Sequence, residues 1–317
     1  MMAAFFLGVD GGQSSTIALI GDGSGHVLGS GRSGPCNHVA ATEGGREKFV
    51  GAIRACVSEA CLRAGLDSAT VRFTAACLGF SGGPADKEPL LSEILAADRL
   101  IVTDDALIAL SGATAGDPGV ITISGTGSIA FGRNAQGERA RAGGWGYVFG
   151  DEGSSFDITR RALRAALRFE EGWGPATSLH RALLDATKAA NANELLHRFY
   201  TSEFPRNVIA GFSRLVDHAA RAGDAEAVRI LNEAAKELCA IAQAVSRKLF
   251  GNQPANVTFI GGAFRSDLLR QRFQALIENE GDHVRPPRYG PAAGALIEAY
   301  RSAGLKVELS NVPEEKT

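Results

Sequence analysis

The first thirty residues alternate between short apolar runs and glycine-rich turns. FFLGV (5–9) is apolar throughout, as a strand covered on both faces would be. TIALIG (16–21) follows the turn DGGQSS, and HVLGSG (26–31) follows GDGSG, a strong turn signal. The pattern predicts an antiparallel meander of three strands. A dinucleotide-binding βαβ unit would instead pass from its first strand into a helix. The period then changes: Phe49, Ile53, Val57, Ala60 and Cys61 recur at helical spacing and predict a helix over 42–64. VRFTAACLGFSG (71–82) reads as a buried strand ending in a glycine-rich loop, with Leu78 and Phe80 in the core. RLIVTDD (99–105) reads as a strand ending in two carboxylates, and ALIALSGAT as a helix.

The order then repeats. GVITISG (119–125) is an apolar strand, TGSIAFGR (126–133) an alternating one, and a QGE turn leads to a short third strand. This favours an internal duplication over two unrelated strand–turn–strand units. From 153 onward the pattern is largely helical. Val228, Leu231, Ala235, Leu238, Val245 and Leu249 mark one long amphipathic helix over 224–249. NVTFIGG (256–262) predicts a strand, residues 265–279 a helix, and PAAGALIEAY (291–300) a helix opened by proline in its first turn. The tail from Leu305 is expected to be loose. The expected fold class is α/β in two domains. The first spans 1–115, with the helix at 289–303 as a candidate completion. The second, larger one spans 116–288 and carries a helical insertion.

Composition narrows the chemistry. The chain has 317 residues, 45% apolar and 21% charged, enough for two packed domains. A net charge of −2 in mixed signs argues against nucleic-acid or membrane partners. No basic residue precedes the apolar run of MMAAFFLGVDGG, which reads as a strand and not a signal peptide. Five cysteines with no CxxC pair argue against disulfides, zinc and iron–sulfur sites, and predict a cytoplasmic setting.

Four strand ends carry the candidate chemistry: DGGQSS (10–15), TDD (103–105), SGTGS (124–128) and GG (261–262). Glycine turns let backbone N–H groups approach phosphate oxygens, and the hydroxyls of Ser14 and Thr126 add donors. Two such loops, one from each half, suit a triphosphate, with Asp10 turned to a hydrated Mg2+. A single glycine turn after a strand is ordinarily just a tight hairpin. GxxxxGK(S/T) is absent, as is a GxGxxG opening a helix, so ATP would be bound by some other fold.

DGG followed by hydroxyls, then TDD, SGTGS, GGWGYVFGDEGS (143–154) and FIGG together resemble the N-acetylglucosamine kinase branch of the BadF/BadG/BcrA/BcrD ATPases. These belong to the sugar kinase/heat-shock cognate/actin superfamily. The resemblance spans nearly the whole chain, and GGWG-x3-GDEGS is its most specific block. It implies two duplicated actin-like (ribonuclease H-like) ATPase domains with a nucleotide and sugar cleft between them, able to close over the sugar. It implies Asp104 as general base, accepting the proton of a sugar hydroxyl as that oxygen attacks the γ-phosphorus of ATP. Gly11, Gly12, Gln13, Ser14, Thr16, Gly125, Thr126, Gly127, Gly261 and Gly262 would hold the nucleotide, and Asp10 the Mg2+. Asn37, His38, Asp104, Ser128, Gly144, Trp145, Gly146 and Asp151 would contact the sugar.

Outside the resemblance, Asn37 and His38 would be a surface turn, Trp145 a loop anchor, and Asp151 the start of the next helix. Asp105 is expected to cap the helix after the TDD strand. Ile129 stands where vertebrate-type relatives have asparagine, which brings in glucosamine beside N-acetylglucosamine as acceptor. The family also includes ATPases that activate dehydratases through a cysteine-held cluster, but Cys56 and Cys61 fall within the first helix, which disfavours that reading. Relatives commonly form homodimers. The expected enzyme is therefore an ATP- and Mg2+-dependent amino-sugar kinase.

Overall fold

The computed structural model describes residues 4–12, 14–36, 45–81 and 87–314. The chain divides into two compact units, residues 1–118 with 286–317, and 119–285.

In the first unit β1 (Phe5–Gly11), β2 (Thr16–Asp22) and β3 (Val27–Ser33) form the antiparallel meander. α1 (Gly45–Arg63) leads to β4 (Ala75–Phe80), which pairs parallel with β1, and β5 (Leu100–Asp104) pairs parallel with β4. The sheet order is β3-β2-β1-β4-β5. Between β4 and β5 lies the short α2 (Glu88–Ser92), which the apolar pattern did not announce. α3 (Asp105–Ala113) follows β5 directly.

The second unit repeats this order. β6 (Gly119–Ser124), β7 (Ser128–Arg133) and β8 (Arg139–Gly143) form an antiparallel meander. Six helices then intervene: α4 (Ser155–Glu170), α5 (Leu179–Thr187), α6 (Ala192–Phe199), α7 (Arg206–Gly211), α8 (Ser213–Arg221) and α9 (Ala225–Phe250). β9 (Asn256–Ile260) returns parallel to β6. A 3₁₀ turn (Gly262–Arg265) and α10 (Asp267–Asn279) lead to β10 (His283–Val284), parallel to β9. The order β8-β7-β6-β9-β10 matches the first sheet strand for strand. The two-residue β10 is too short to leave a periodic signature.

The unbroken apolar run of β1 is explained by helices on both faces of its sheet. Leu7 and Val9 pack with Ile53, Val57 and Phe80 on the α1 side. Phe6 packs with Ile108 of α3 and with Leu296 and Tyr300 of α11 (Pro291–Ser302) on the other. α11 and α3 approach closely enough that a Cβ on Gly294 would lie 1.8 Å from the Ile108 carbonyl oxygen. Leu78 and Phe80 are buried as expected.

Two boundaries are corrected. The 71–82 strand shortens to β4, with Phe73 outside it, buried in the core and paired through an isolated bridge to Ala97. The tail is not loose as far as residue 311: Leu309 is buried, Ser310 bridges His26, and Asn311 Nδ2 donates to Val27 O at 2.8 Å. An apolar anchor and backbone pairing hold what composition alone would release.

The five cysteines are buried and none is in a disulfide. Burial raises their thiol pKa values where a shift is resolved, Cys56 up to about 12 and Cys239 up to about 11.

Candidate active site

In the first unit the candidate residues lie at the C-terminal ends of the parallel strands, where α/β sheets characteristically bind ligands. Register pairs Gly11 of β1 with Phe80 of β4, and Phe80 with Asp104 of β5. Gly11 and Asp104 are thus in one row, two strand spacings or roughly 10 Å apart. Asp10 lies one row back, half-buried, level with Gly79 and Thr103.

Asp104 is the N-cap of α3: its Oδ1 accepts from Leu107 N–H at 2.7 Å. This corrects the expectation for Asp105, whose Oδ2 instead accepts from the Ser81 hydroxyl at 2.7 Å. The extended backbone of Asp104 (φ −84°, ψ 158°) is the cap conformation, so the helix begins at the second carboxylate, one residue earlier than expected. The cap bond fixes the carboxylate and leaves Oδ2 without a hydrogen bond among the described residues.

Gly12 N–H donates to Ser15 O at 3.0 Å and closes the turn, and Ser14 is exposed. Thr16 is corrected: it is fully buried, and its hydroxyl donates to Gly34 O at 2.8 Å, tying β2 to the end of β3. Gln13, Asn37 and His38 lie outside the described residues.

In the second unit the SGTGS and GDEGS stretches form one hydrogen-bonded knot. Ser124 Oγ donates to Gly153 O at 2.9 Å, and Ser128 Oγ to Glu152 O at 2.7 Å. Ser128 N–H reaches Asp151 Oδ1 at 3.2 Å, and Ser155 N–H reaches Gly125 O at 2.8 Å. Ser128, expected as a sugar contact, donates its hydroxyl within the knot and is 4% exposed. α4 begins here, capped by Ser154 Oγ on Asp157 N–H at 3.1 Å. The glycine loop therefore sits at the positive end of a 16-residue helix.

Gly127 is small of necessity, since a Cβ there would lie 2.8 Å from the Asp151 carboxylate. Gly261 (φ +111°) packs its backbone on the carbonyl of Ser124 and brings the β9 loop against the β6 loop. Gly125 and Gly262 have open space where a side chain would be.

Asp151 is buried at 4% exposure with φ +62°, a left-handed conformation that costs a non-glycine residue about 1–3 kcal/mol. It is held by Ser128 N–H and by a salt bridge from Arg206 Nη2. Gly144 and Gly146 take left-handed φ on either side of Trp145, which is 66% exposed beneath Arg141. The side chain of Ile129 lies under Gly144.

Beside the knot lies a cavity of about 670 Å3, lined by Gly125, Thr126 and Ser155, by Gly262, and by α7 and α8. Arg206, Asn207 and Asp217, from these two helices, carry no motif and were not anticipated from the sequence. Only their place after Pro205, in two short helices, marks them. Among the described residues no three His, Cys, Asp or Glu side chains cluster as a metal cage. No described helix is long and apolar enough to cross a membrane.

Two units of identical strand order, each with a glycine loop after its first strand, define an actin-like ATPase architecture. The chain belongs to the BadF/BadG/BcrA/BcrD ATPase family, whose model matches residues 7–299. It is 34% identical over 268 residues to the N-acetylmuramic acid/N-acetylglucosamine kinase of Clostridium acetobutylicum, covering 83% of this chain and 86% of that one. It is 30% identical over 326 aligned positions to the N-acetyl-D-glucosamine kinase of Dictyostelium discoideum, covering 95% and 99%. Among solved structures, a proposed N-acetylglucosamine kinase from Chromobacterium violaceum superposes with TM-score 0.73 at 27% identity, over 93% of this chain and 98% of that one. A glucokinase of the ROK family from Streptomyces griseus shares the fold, with TM-score 0.54 at 19% identity over 93% and 98%.

Proposed function

We propose that the protein is an ATP-dependent amino-sugar kinase that converts N-acetyl-D-glucosamine to its 6-phosphate. The observation that carries this reading is the knot of SGTGS and GDEGS at the start of α4. It couples a phosphate-suited loop, Gly125 to Gly127, to the buried carboxylate of Asp151 through backbone and hydroxyl bonds. Kinase chemistry needs little else from the protein than positioning and charge stabilisation.

The nucleotide lies in the 670 Å3 cavity, its phosphates toward Gly125, Thr126 and the α4 N-terminus, with Gly262 open to its nucleoside. In the first unit, Gly11, Gly12 and Ser14 add phosphate contacts. Asp151 and the backbone of Gly144 to Gly146 bind sugar hydroxyls, with Trp145 against the ring. Asn37 and His38 complete the sugar contacts by resemblance. Asp104, aimed by its bond to Leu107 N–H, takes the proton from the attacking hydroxyl.

Mg2+ commonly binds through one or two carboxylates plus substrate phosphates rather than an all-protein cage. A single half-buried carboxylate at the glycine turn, Asp10, fits that donor set. The cation would neutralise charge on the triphosphate. By resemblance the enzyme acts as a homodimer in the cytoplasm. The domain limits proposed for this function are 1–115, completed by the C-terminal helix, and 116–288.

Glucosamine is the second reading. It is favoured by Ile129, an apolar side chain under Gly144 that offers no hydrogen bond to an acetamido group. The deciding assay is ADP release with ATP and Mg2+ on N-acetylglucosamine, glucosamine, N-acetylmuramic acid and glucose. Turnover on one amino sugar, abolished by Asp104→Asn, is expected. Hydrolysis of ATP at one rate with or without sugar would overturn the kinase reading.

A further inference from the structure

Ser155 and Ile158 of α4 face the 670 Å3 cavity, while Asp157, Arg160, Arg161, Arg164 and Arg168 lie on the opposite side of the same helix. With Glu226, Arg229 and Glu233 of α9 these residues line a separate pocket of about 310 Å3. Three of its five arginines are paired. Arg160 Nη2 and Arg161 Nε donate to the buried Asp157 carboxylate at 2.6 and 2.8 Å, and Arg161 also reaches Glu233 and Glu237. Arg229 takes both oxygens of Glu226, at 2.8 and 2.5 Å, and one of Glu233. Arg164 and Arg168 differ: both are exposed, and neither makes an ion pair or a side-chain hydrogen bond among the described residues. Arg168 is nonetheless held in place. Its guanidinium lies over the Trp173 ring at 4.8 Å, and Trp173 Nε1 donates to Glu171 at 2.6 Å. Stacking uses the flat face of the guanidinium and leaves its N–H edge for an acceptor.

We propose that this pocket is a second ligand site, which binds the phosphate group of a small molecule through Arg164 and Arg168. Residues four apart on a helix share one face, about 6 Å apart along its axis, so the two guanidinium forks can converge on one anion. A phosphate dianion offers three oxygens to two forks, whereas a carboxylate offers two oxygens and satisfies one fork. The carboxylates of the lining do not compete for this pair, since Asp157, Glu226 and Glu233 are each matched to Arg160, Arg161 or Arg229. Those pairs also fix the walls, so little order has to be imposed when the anion arrives. The accessible guanidiniums are the two without ion pairs, and a ligand reaches them without breaking a salt bridge. The volume is at the lower end for small-molecule sites, which suits inorganic phosphate or a phosphorylated sugar.

The chain has two tryptophans, Trp145 and Trp173. Trp145→Phe therefore leaves Trp173, stacked on Arg168, as a single fluorescent reporter of the pocket. The test titrates this protein with inorganic phosphate, N-acetylglucosamine 6-phosphate and acetate at constant ionic strength, without ATP, and follows Trp173 emission. A saturable change is expected with both phosphate compounds and none with acetate at the same concentrations. Adding Arg164→Gln is expected to weaken phosphate binding at least about 10-fold, the scale of one hydrogen bond between charged groups. Adding Arg181→Gln, an exposed arginine of α5 outside the pocket, is expected to leave it unchanged. Tighter binding of the sugar phosphate would assign the pocket to a phosphorylated sugar, and equal binding to phosphate itself; both uphold the proposal. No saturable response, an equal response to acetate, or an Arg164→Gln variant that binds no more weakly than Arg181→Gln would overturn it. If Trp145→Phe does not fold, calorimetric titration of the unsubstituted protein with phosphate replaces the fluorescence. A binding step lost in Arg164→Gln is then expected, and identical isotherms for the two proteins would count against the pocket. Neither arm measures phosphoryl transfer, so phosphate binding by a protein with no kinase activity would retain this site and refute the kinase reading.

Discussion

Arg206 and Asp151, 55 positions apart in the chain, form a salt bridge that fixes the most constrained residue of the candidate site. The same Arg206 Nη2 lies 3.4 Å from the carbonyl oxygen of Thr126, and the guanidinium covers the Tyr147 ring at 5.0 Å. One side chain from the helical insertion thus touches both the phosphate-suited loop and the carboxylate assigned to the sugar.

Arg206→Ala leaves the buried Asp151 carboxylate without its cation, a loss of about 3 kcal/mol for a well-buried pair and less to the extent that Arg206 is exposed. The expected outcome is a raised KM for sugar together with lower stability. Arg206→Lys, which keeps the charge but not the fork, should recover stability more fully than KM. Steady-state kinetics and urea unfolding on both variants check this; equal recovery of the two would assign Arg206 to structure alone.

Asp104 has two tasks, and substitutions separate them. Asparagine still accepts from Leu107 N–H as a cap but cannot take a proton. Asp104→Asn should retain wild-type stability while turnover falls about 10²–10⁴-fold. Asp104→Ala should lose a similar amount of activity and about 1 kcal/mol of stability as well. Paired assays and melting curves decide; an active Asn variant would remove Asp104 as the base.

Gly294 and Gly51 are both helical glycines with opposite expectations. Alanine at 294 would drive its Cβ to 1.8 Å from Ile108 O and 2.4 Å from Gly112 N, both backbone atoms that cannot step aside. A loss of about 1–3 kcal/mol or more is expected. Alanine at Gly51 of α1 meets nothing within 4 Å and should stabilise by up to about 1 kcal/mol through helix propensity. Chemical denaturation of the two variants should move the midpoint in opposite directions.

Asp224 caps the 26-residue α9 and also accepts from Ser178 N–H at 2.6 Å and from the Thr177 hydroxyl at 2.9 Å. Burial acts to raise its pKa, but the bonds from Ala227, Ser178 and Thr177 outweigh it and hold the carboxyl below its usual value. With the folded pKa depressed, the stabilisation is complete above the unfolded value of about 3.9 and is lost as pH falls through the folded value. Asp224→Ala should therefore cost about 1–2 kcal/mol at pH 7. The gap from wild type should narrow under acid; a gap independent of pH would show that the ionised carboxylate is not what matters.

Much of the architecture was legible locally. The run FFLGV, the recurrence of apolar strand, hydroxyl turn and strand, and the helical stripe ending near Phe250 are periodic signals, and periodicity reports which faces a segment must bury. It also put Asp104 and the SGTGS loop at strand ends. It could not say which of two adjacent carboxylates caps α3, because that depends on a single backbone ψ. Nor could it assign the hydroxyls of Thr16 and Ser128, whose acceptors lie 18 and 24 positions away.

By itself, then, the chain determined its longer periodic elements, the repeated order of its strands and the chemistry available at the strand ends. Tertiary structure alone decided the row that aligns Gly11 with Asp104, the knot that binds SGTGS to GDEGS, and the partners of Arg206. The physical reason is range. Backbone conformation and amphipathic period are settled by neighbours a few residues away, whereas the pairing of a buried polar atom is settled by whichever distant segment packing brings within about 3 Å of it.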